Sequence, residues 1–125
     1  MPKKTVKDDA KNIVKQVVIA MQDKKAKNII SLDLSKIEDS VSKYFVICQA
    51  PSVTQVDAIY NNVVDEVREN CGLKPFHREG YRNSEWILID YFDVVVHVFR
   101  DDIRAYYKLE DLWADAVLKK YKSDD

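Results

Sequence analysis

Hydrophobic positions along the chain change their period several times, and each change marks an element. Val6, Ala10, Ile13, Val14, Val17, Val18 and Met21 recur three and four apart, which predicts an amphipathic helix over about 6–22. Thr5 and Asp8 ahead of it have the spacing of a capping box, in which hydroxyl and carboxylate satisfy free N–H groups. After a polar turn, NIISLDLS reads as a strand; SKIEDSVSK breaks the pattern, and KYFVICQA is a second strand dense in β-formers. Pro51 and Ser52 end that strand and open a second helix, with Ser52 and Gln55 again at capping-box spacing and a stripe of Val56, Ile59, Tyr60, Val63, Val64 and Val67. Gly72 stands where a left-handed helix end is expected, with Pro75 just beyond.

LKPFHREG predicts a short edge strand, and residues 86–90 and 94–99 two more strands. A helical tail follows: Ile103, Tyr106 and Tyr107 share a face, and Leu109, Leu112, Trp113, Ala116, Val117 and Tyr121 continue it after a shift of phase. The predicted order is α-β-β-α-β-β-β-α. It describes one α/β domain over 1–125 with a mixed β-sheet flanked by helices, its core over about 6–115 and a helix end and tail over 116–125.

Composition narrows the class. A chain of 125 residues, 46% hydrophobic and 33% charged, buries a core without staples and is not disordered. No apolar run is long enough to span a bilayer, and MPKKTVKDDAKN lacks the apolar centre of a signal peptide, so the expected place is the cytoplasm. Cys48 and Cys71 are far apart, without metal-site spacing, and are read as reduced, Cys48 as strand filler. The net charge of −1 is uneven: residues 1–27 hold eight lysines against three acids, and the other 98 hold 12 basic and 18 acidic groups. A chain held mainly by phosphates would be basic overall, so a protein partner, itself basic, fits better than direct nucleic-acid recognition. The plain alternative is that the lysines solvate one helix face.

Residues 85–99, EWILIDYFDVVVHVF, are too long for one strand, and their only polar break is Asp90-Tyr91-Phe92-Asp93. A two-residue hairpin turn wants positive φ, which Tyr and Phe adopt poorly, so either the loop is wider or strain is tolerated. Asp90 and Asp93 would face each other, a costly pairing unless a cation is near. Aromatics beside carboxylates suit docking on a basic, partly apolar protein; otherwise Tyr91 and Phe92 fold back on the terminal helix and the acids are hydrated. Trp86 shares a face with Leu88 and Asp90, as core or as a binding anchor. His97, among valines, is read as a hydrogen-bonded strand histidine in phase with Val95 and Phe99, and Trp113 as core. Alternation in this strand implies that helices cover one side of the sheet and only part of the other.

Asp33-Leu34-Ser35, Tyr44-Phe45-Val46-Ile47, Ser52 with Gln55-Val56, Glu79-Gly80, WILIDYFDVVVHVF, Arg104 and Tyr107 to Trp113 occur in the order seen in one family. Over about residues 8–115 the sequence resembles the ribosomal silencing factors, also called Iojap-like proteins. Lys43, Thr54 and Phe92 depart from the family pattern; Phe92 replaces a frequent glycine. The resemblance implies a fold related to nucleotidyltransferases without their activity. It also implies binding to the large ribosomal subunit through its ribosomal protein fourteen, which blocks subunit joining and represses translation when nutrients are short. No cofactor or membrane is implied, and a homodimer is a candidate state of the free protein. The expected partner-binding residues are Glu79, Trp86, Leu88, Asp90, Tyr91, Phe92, Asp93, His97, Arg104 and Tyr107.

The competing class is a nucleotidyltransferase-like enzyme or nucleotide binder. That chemistry needs a glycine-bearing phosphate loop and carboxylates two apart on one strand facing a metal pair. Here the turn after the second strand is Gln49-Ala50-Pro51-Ser52, the whole chain has two glycines, and Asp90 and Asp93 are three apart across a turn. The expectation is no catalytic or metal site.

Overall fold

The computed structural model describes residues 6–37, 40 and 42–123. Its elements are α1 (Val6–Asp23), β1 (Lys27–Asp33), β2 (Tyr44–Ala50), α2 (Val53–Cys71), β3 (His77–Glu79), β4 (Trp86–Asp90), β5 (Val94–Arg100), α3 (Asp101–Tyr107), α4 (Leu109–Leu112) and β6 (Val117–Lys120). The six strands form one sheet in the order β3-β4-β5-β2-β1-β6. β2 and β5 are parallel, and every other neighbouring pair is antiparallel. This is the expected α/β domain with a mixed sheet.

Both long helices form where their apolar stripes predict. Ala10, Ile13, Val14, Val17, Val18 and Met21 of α1 are buried, as are Val56, Ile59, Tyr60, Val63 and Val67 of α2, while Val64 is partly buried. The Thr5 cap lies outside the described residues. Ser52 caps α2, its Oγ accepting the Gln55 N–H at 3.2 Å. The Gln55 side chain does not reach back to complete a capping box; it donates to the carbonyls of Lys24 and Lys25, tying the start of α2 to the turn after α1. Gly72 closes α2 at φ +67, as anticipated.

The C-terminal region corrects the sequence reading. The tail is not one helix. Lys108, at φ +48, ends α3 with its N–H on the Arg104 carbonyl, and α4 lasts a single turn. Residues 117–120, expected as helix end and tail, are instead β6, paired antiparallel with β1 from Asp33↔Val117 to Ile30↔Lys120. The physical reason is the otherwise unpaired edge of β1, whose N–H and C=O groups four extended residues can satisfy. The apolar spacing was misleading: Leu109 and Trp113 pack inward, whereas Leu112 is 76% and Val117 63% exposed.

Two apolar clusters lie on opposite sides of the sheet. The larger packs α1 and α2 against Val46, Cys48 and Ala50 of β2, Ile87 and Ile89 of β4, and Val94, Val96 and Val98 of β5. The smaller joins Ile30, Leu32, Leu34, Ile47 and Phe99 to Leu109, with Phe45, Trp86, Ile103 and Trp113 only partly buried. One side is thus covered by the long helices, and the other only partly, by short ones that leave Phe45, Trp86 and Leu88 half-buried, as expected, although β5 itself is buried on both faces.

Candidate functional site

Residues directly opposite each other in a sheet stand on the same side. Trp86, Leu88 and Asp90 of β4 face Phe99, His97 and Val95 of β5. Leu88 and Asp90 also face Glu79 and His77 of β3. Glu79, Trp86, Leu88, Asp90 and His97 therefore share the side that α1 and α2 leave uncovered. Tyr107 joins them from α3, its ring 5.0 Å from that of Trp86. Gly80 lets β3 lie this close: a Cβ there would collide with the Trp86 carbonyl oxygen.

Trp86 is packed but not enclosed. Its indole stacks on Phe99 at 4.8 Å and donates its Nε1–H to His97 Nδ1 at 3.1 Å, yet it stays only half-buried. His97 is the hydrogen-bonded strand histidine that was anticipated. It is 3% exposed, and desolvation pushes its pKa down to about 3, so the ring is neutral at pH 7. Because Nδ1 accepts from Trp86, the proton sits on Nε2, which is buried without a hydrogen-bond partner. The Phe45 ring meets the imidazole edge-on at 4.8 Å. His97 therefore underlies this surface and holds Trp86 rather than forming the surface itself.

The turn between β4 and β5 answers the question posed by its composition. Asp93 N–H donates to the Tyr91 carbonyl at 3.0 Å across Phe92, whose φ is +77. That is a γ-turn of the strained, positive-φ kind. Strain is tolerated because neighbours over-determine it. Asp90 Oδ1 accepts the Phe92 N–H at 2.7 Å, Tyr91 N–H bonds the Val94 carbonyl at 2.8 Å, and the Asp93 carbonyl accepts N–H groups from Lys43 and Tyr44.

The two aromatics of the turn part company, and neither folds onto a terminal helix. Tyr91 continues the phase of Ile87 and Ile89 and enters the helix-covered core at 6% exposure. Burial raises its phenol pKa, and its Oη is without a partner. Tyr91 is thus removed from the expected surface set. Phe92 is 60% exposed and meets Phe76, itself 77% exposed, edge-on at 6.1 Å.

Arg104 also turns inward. At 7% exposure it donates Nη1–H to the Asn28 carbonyl at 2.6 Å, and Nε–H and Nη2–H to Glu110 Oε2. Asn28 lies between Lys27 and Ile30, where the β1–β2 register shifts, so this guanidinium braces α3 and α4 against that irregularity. Burial separates Arg104 from the surface residues named with it. Sequence reasoning missed Phe76 and Phe45 as members of this region. Phe76 follows Pro75, and its N–H bonds the Asp90 carbonyl at 2.7 Å. Phe45 is brought beside His97 only by the parallel β2–β5 pairing, and Trp113, read as core, is half-buried against it at 5.6 Å.

Over residues 7–125 the chain matches the family described as "Ribosomal silencing factor during starvation". It is 44% identical over 108 residues to ribosomal silencing factor RsfS of Bacillus subtilis, covering 86% of this chain and 90% of that protein. The chain belongs to the ribosomal silencing factor family. A crystal structure of a Chromobacterium violaceum protein, 37% identical, superposes with a TM-score of 0.80 over 84% of this chain and 86% of that one. Another, from Bacillus halodurans and 41% identical, gives 0.72 over 82% and 94%. In this member of the ribosomal silencing factor family, the open side presents Trp86 and Leu88 half-buried, Tyr107 beside Trp86, and Glu79 and Asp90 around them, while the exposed Phe92 and the partly exposed Asp93 stand in the β4–β5 turn at its end. Among the described residues no helix is long and apolar enough to cross a membrane, and no three of His, Cys, Asp and Glu are grouped to hold a metal ion.

Proposed function

We propose that this protein silences ribosomes by docking its open sheet face on ribosomal protein fourteen of the large subunit, where its bulk blocks subunit joining. One observation carries the reading: Trp86 and Leu88 stand half-buried on the side that α1 and α2 do not cover, beside carboxylates. A partly desolvated tryptophan held by a hydrogen bond is the kind of anchor that dominates an interface. Trp86, Leu88 and Tyr107 form the apolar centre and Phe92 extends it at the tip. Glu79 and Asp93 at the rim face lysines or arginines of the partner, with Asp90 shared between the rim and the turn. The acidic balance of residues 28–125 favours the same basic partner. His97 and Arg104 act from beneath, one orienting Trp86 and the other fixing α3, which carries Tyr107.

The action is exclusion rather than chemistry. A 14.6 kDa domain is about 30 Å across by compactness scaling, too thick for a packed subunit interface. The turn after β2 carries Pro51 and Ser52 with no glycine to cradle a phosphate, which supports a regulator over a nucleotidyltransferase. The protein is expected to co-sediment with free large subunits and to lower the yield of joined ribosomes in a reassociation gradient. Migration with small subunits, or binding to large subunits without reduced joining at saturation, would refute the proposal.

A further inference from the structure

The sheet ends differently at its two edges. β3 is three residues, His77–Glu79, all exposed and ionisable. β6 is four exposed residues that include two apolar ones, Val117 at 63% and Leu118 at 45%. Tyr121 N–H donates to the Ile29 carbonyl at 2.9 Å, in phase with the β1–β6 register. Antiparallel alternation then turns the N–H and C=O of Leu118 and Lys120 away from β1. Among the described residues no strand lies beyond β6. An edge of this kind is a template for an added strand.

A groove flanks β6 on each side of the sheet. The one beside α1, about 610 Å³, is lined by Lys11, Lys15 and Ile19 of α1 together with Val117, Lys119 and Tyr121. The one beneath α3 and α4, about 680 Å³, takes Leu118 and Lys120. There Arg104, Lys108 and Lys120 are balanced by Asp101, Glu110 and Asp111, whereas beside α1 only Asp33 offsets the three lysines among the lining residues.

We propose that β6 is a strand-addition site for an extended segment of another protein that alternates acidic with apolar side chains. Its main chain pairs with Leu118 and Lys120, its acidic side chains enter the lysine-lined groove beside α1, and its apolar side chains lie over Leu118. A second copy of this chain fits poorly. Pairing Leu118 with the second copy's Lys120, and the reverse, sets Lys119 directly opposite Lys119, a repulsive contact. Nucleic acid would engage the lysines but leave the outward N–H and C=O groups without strand partners. β6 is at the opposite edge of the sheet from β3 and β4, so this site is separate from the docking face around Trp86 and both can be filled at once.

The probe is a short, end-capped peptide of alternating glutamate and valine, added to the full-length protein. Amide hydrogen exchange and fluorescence anisotropy are the readouts. Binding is expected to slow exchange at Leu118 and Lys120, to weaken with salt, and to persist in Trp86→Ala. Two versions N-methylated on alternate backbone nitrogens of opposite parity should split: one set of N–H groups faces β6, so one version loses binding and the other keeps it. The double variant Lys15→Glu, Lys119→Glu, altering exposed side chains only, should weaken binding about tenfold. Equal binding by both N-methylated versions, or no protection at Leu118 and Lys120, overturns the proposal on the unmodified protein. So does displacement of the peptide by oligouridylate that protects the same groove, or sedimentation showing that β6 is already paired with a second copy.

Discussion

The same strands present two unlike faces. On the side of α1 and α2, Val46, Cys48, Ala50, Ile87, Ile89, Val94, Val96 and Val98 are all at 0% exposure. On the other, Phe45, Trp86, Leu88 and Asp90 stay half-exposed beside a few fully buried residues such as Ile47 and Phe99. The covered side uses small and β-branched side chains, because two helices supply the rest of the packing. The open side uses rings, which cover more sheet per residue and still leave an edge for a partner. With docking placed on the open side as proposed above, stability and recognition are separated by the two-residue period of a strand, and substitutions one position apart should have different consequences.

Among single substitutions, the largest effect is expected on the covered side. Ile89→Ala should cost about 3 kcal/mol of unfolding free energy, from lost burial and the cavity left under α2. Denaturant titration checks this, and affinity for large subunits in the folded fraction should not change. If affinity falls as far as stability does, the two faces are coupled and the comparison fails.

Acid should act through the open side. His97 is charged in the unfolded chain below its ordinary 6.5 but resists protonation in the fold down to about 3. Its neutral burial is harmless above pH 6.5. As pH falls from there toward 3, the unfolded state gains a proton that the folded state does not, and stability drops by up to about 1.4 kcal/mol per pH unit. His97→Asn, whose Oδ1 can stand in for Nδ1 toward Trp86, should flatten that slope. Identical pH profiles for the two proteins would show that another group causes the acid sensitivity.

Trp86→Ala should reverse the pattern of Ile89→Ala, weakening large-subunit binding by about 2 kcal/mol with a smaller loss of stability. A sharp fall in melting temperature with unchanged affinity would make Trp86 a core residue in function as well as in contact. The smallest change is the most diagnostic. Phe92→Gly relieves φ +77 and should stabilise the fold by about 1 kcal/mol after the extra freedom of glycine in the unfolded chain is offset. It also removes an exposed ring, so affinity should fall while the melting temperature rises. A raised melting temperature with unchanged affinity would mean that the ring takes no part in docking.

Much of the candidate surface was legible one residue at a time. Trp86, Leu88 and Asp90 share a face by alternation, and the same rule applied one step further places Tyr91 with Ile87 and Ile89, inside. The turn obscured this, because two adjacent aromatics at a hairpin tip read as a pair when the chain actually buries one and exposes the other. Phe45 and Phe76 were not legible. They reach the site through the parallel β2–β5 pairing and through the bond from Phe76 N–H to the Asp90 carbonyl, and neither has a local signal.

By itself the sequence determined the elements from α1 to β5, because each has enough residues for its own period, cap or breaker to dominate: Ser52 and Gly72 bound α2 as local chemistry requires. Only the tertiary structure decided the end of the chain. VLKK has too few residues for a period to show, and it is a strand because β1 offers an unpaired edge to it. The same holds for Arg104, whose spacing suits an exposed helix face but whose guanidinium is drawn inside by the Asn28 carbonyl and Glu110. A period is a property of neighbours in sequence, whereas an edge, a carbonyl and a carboxylate meet only when distant segments have already packed.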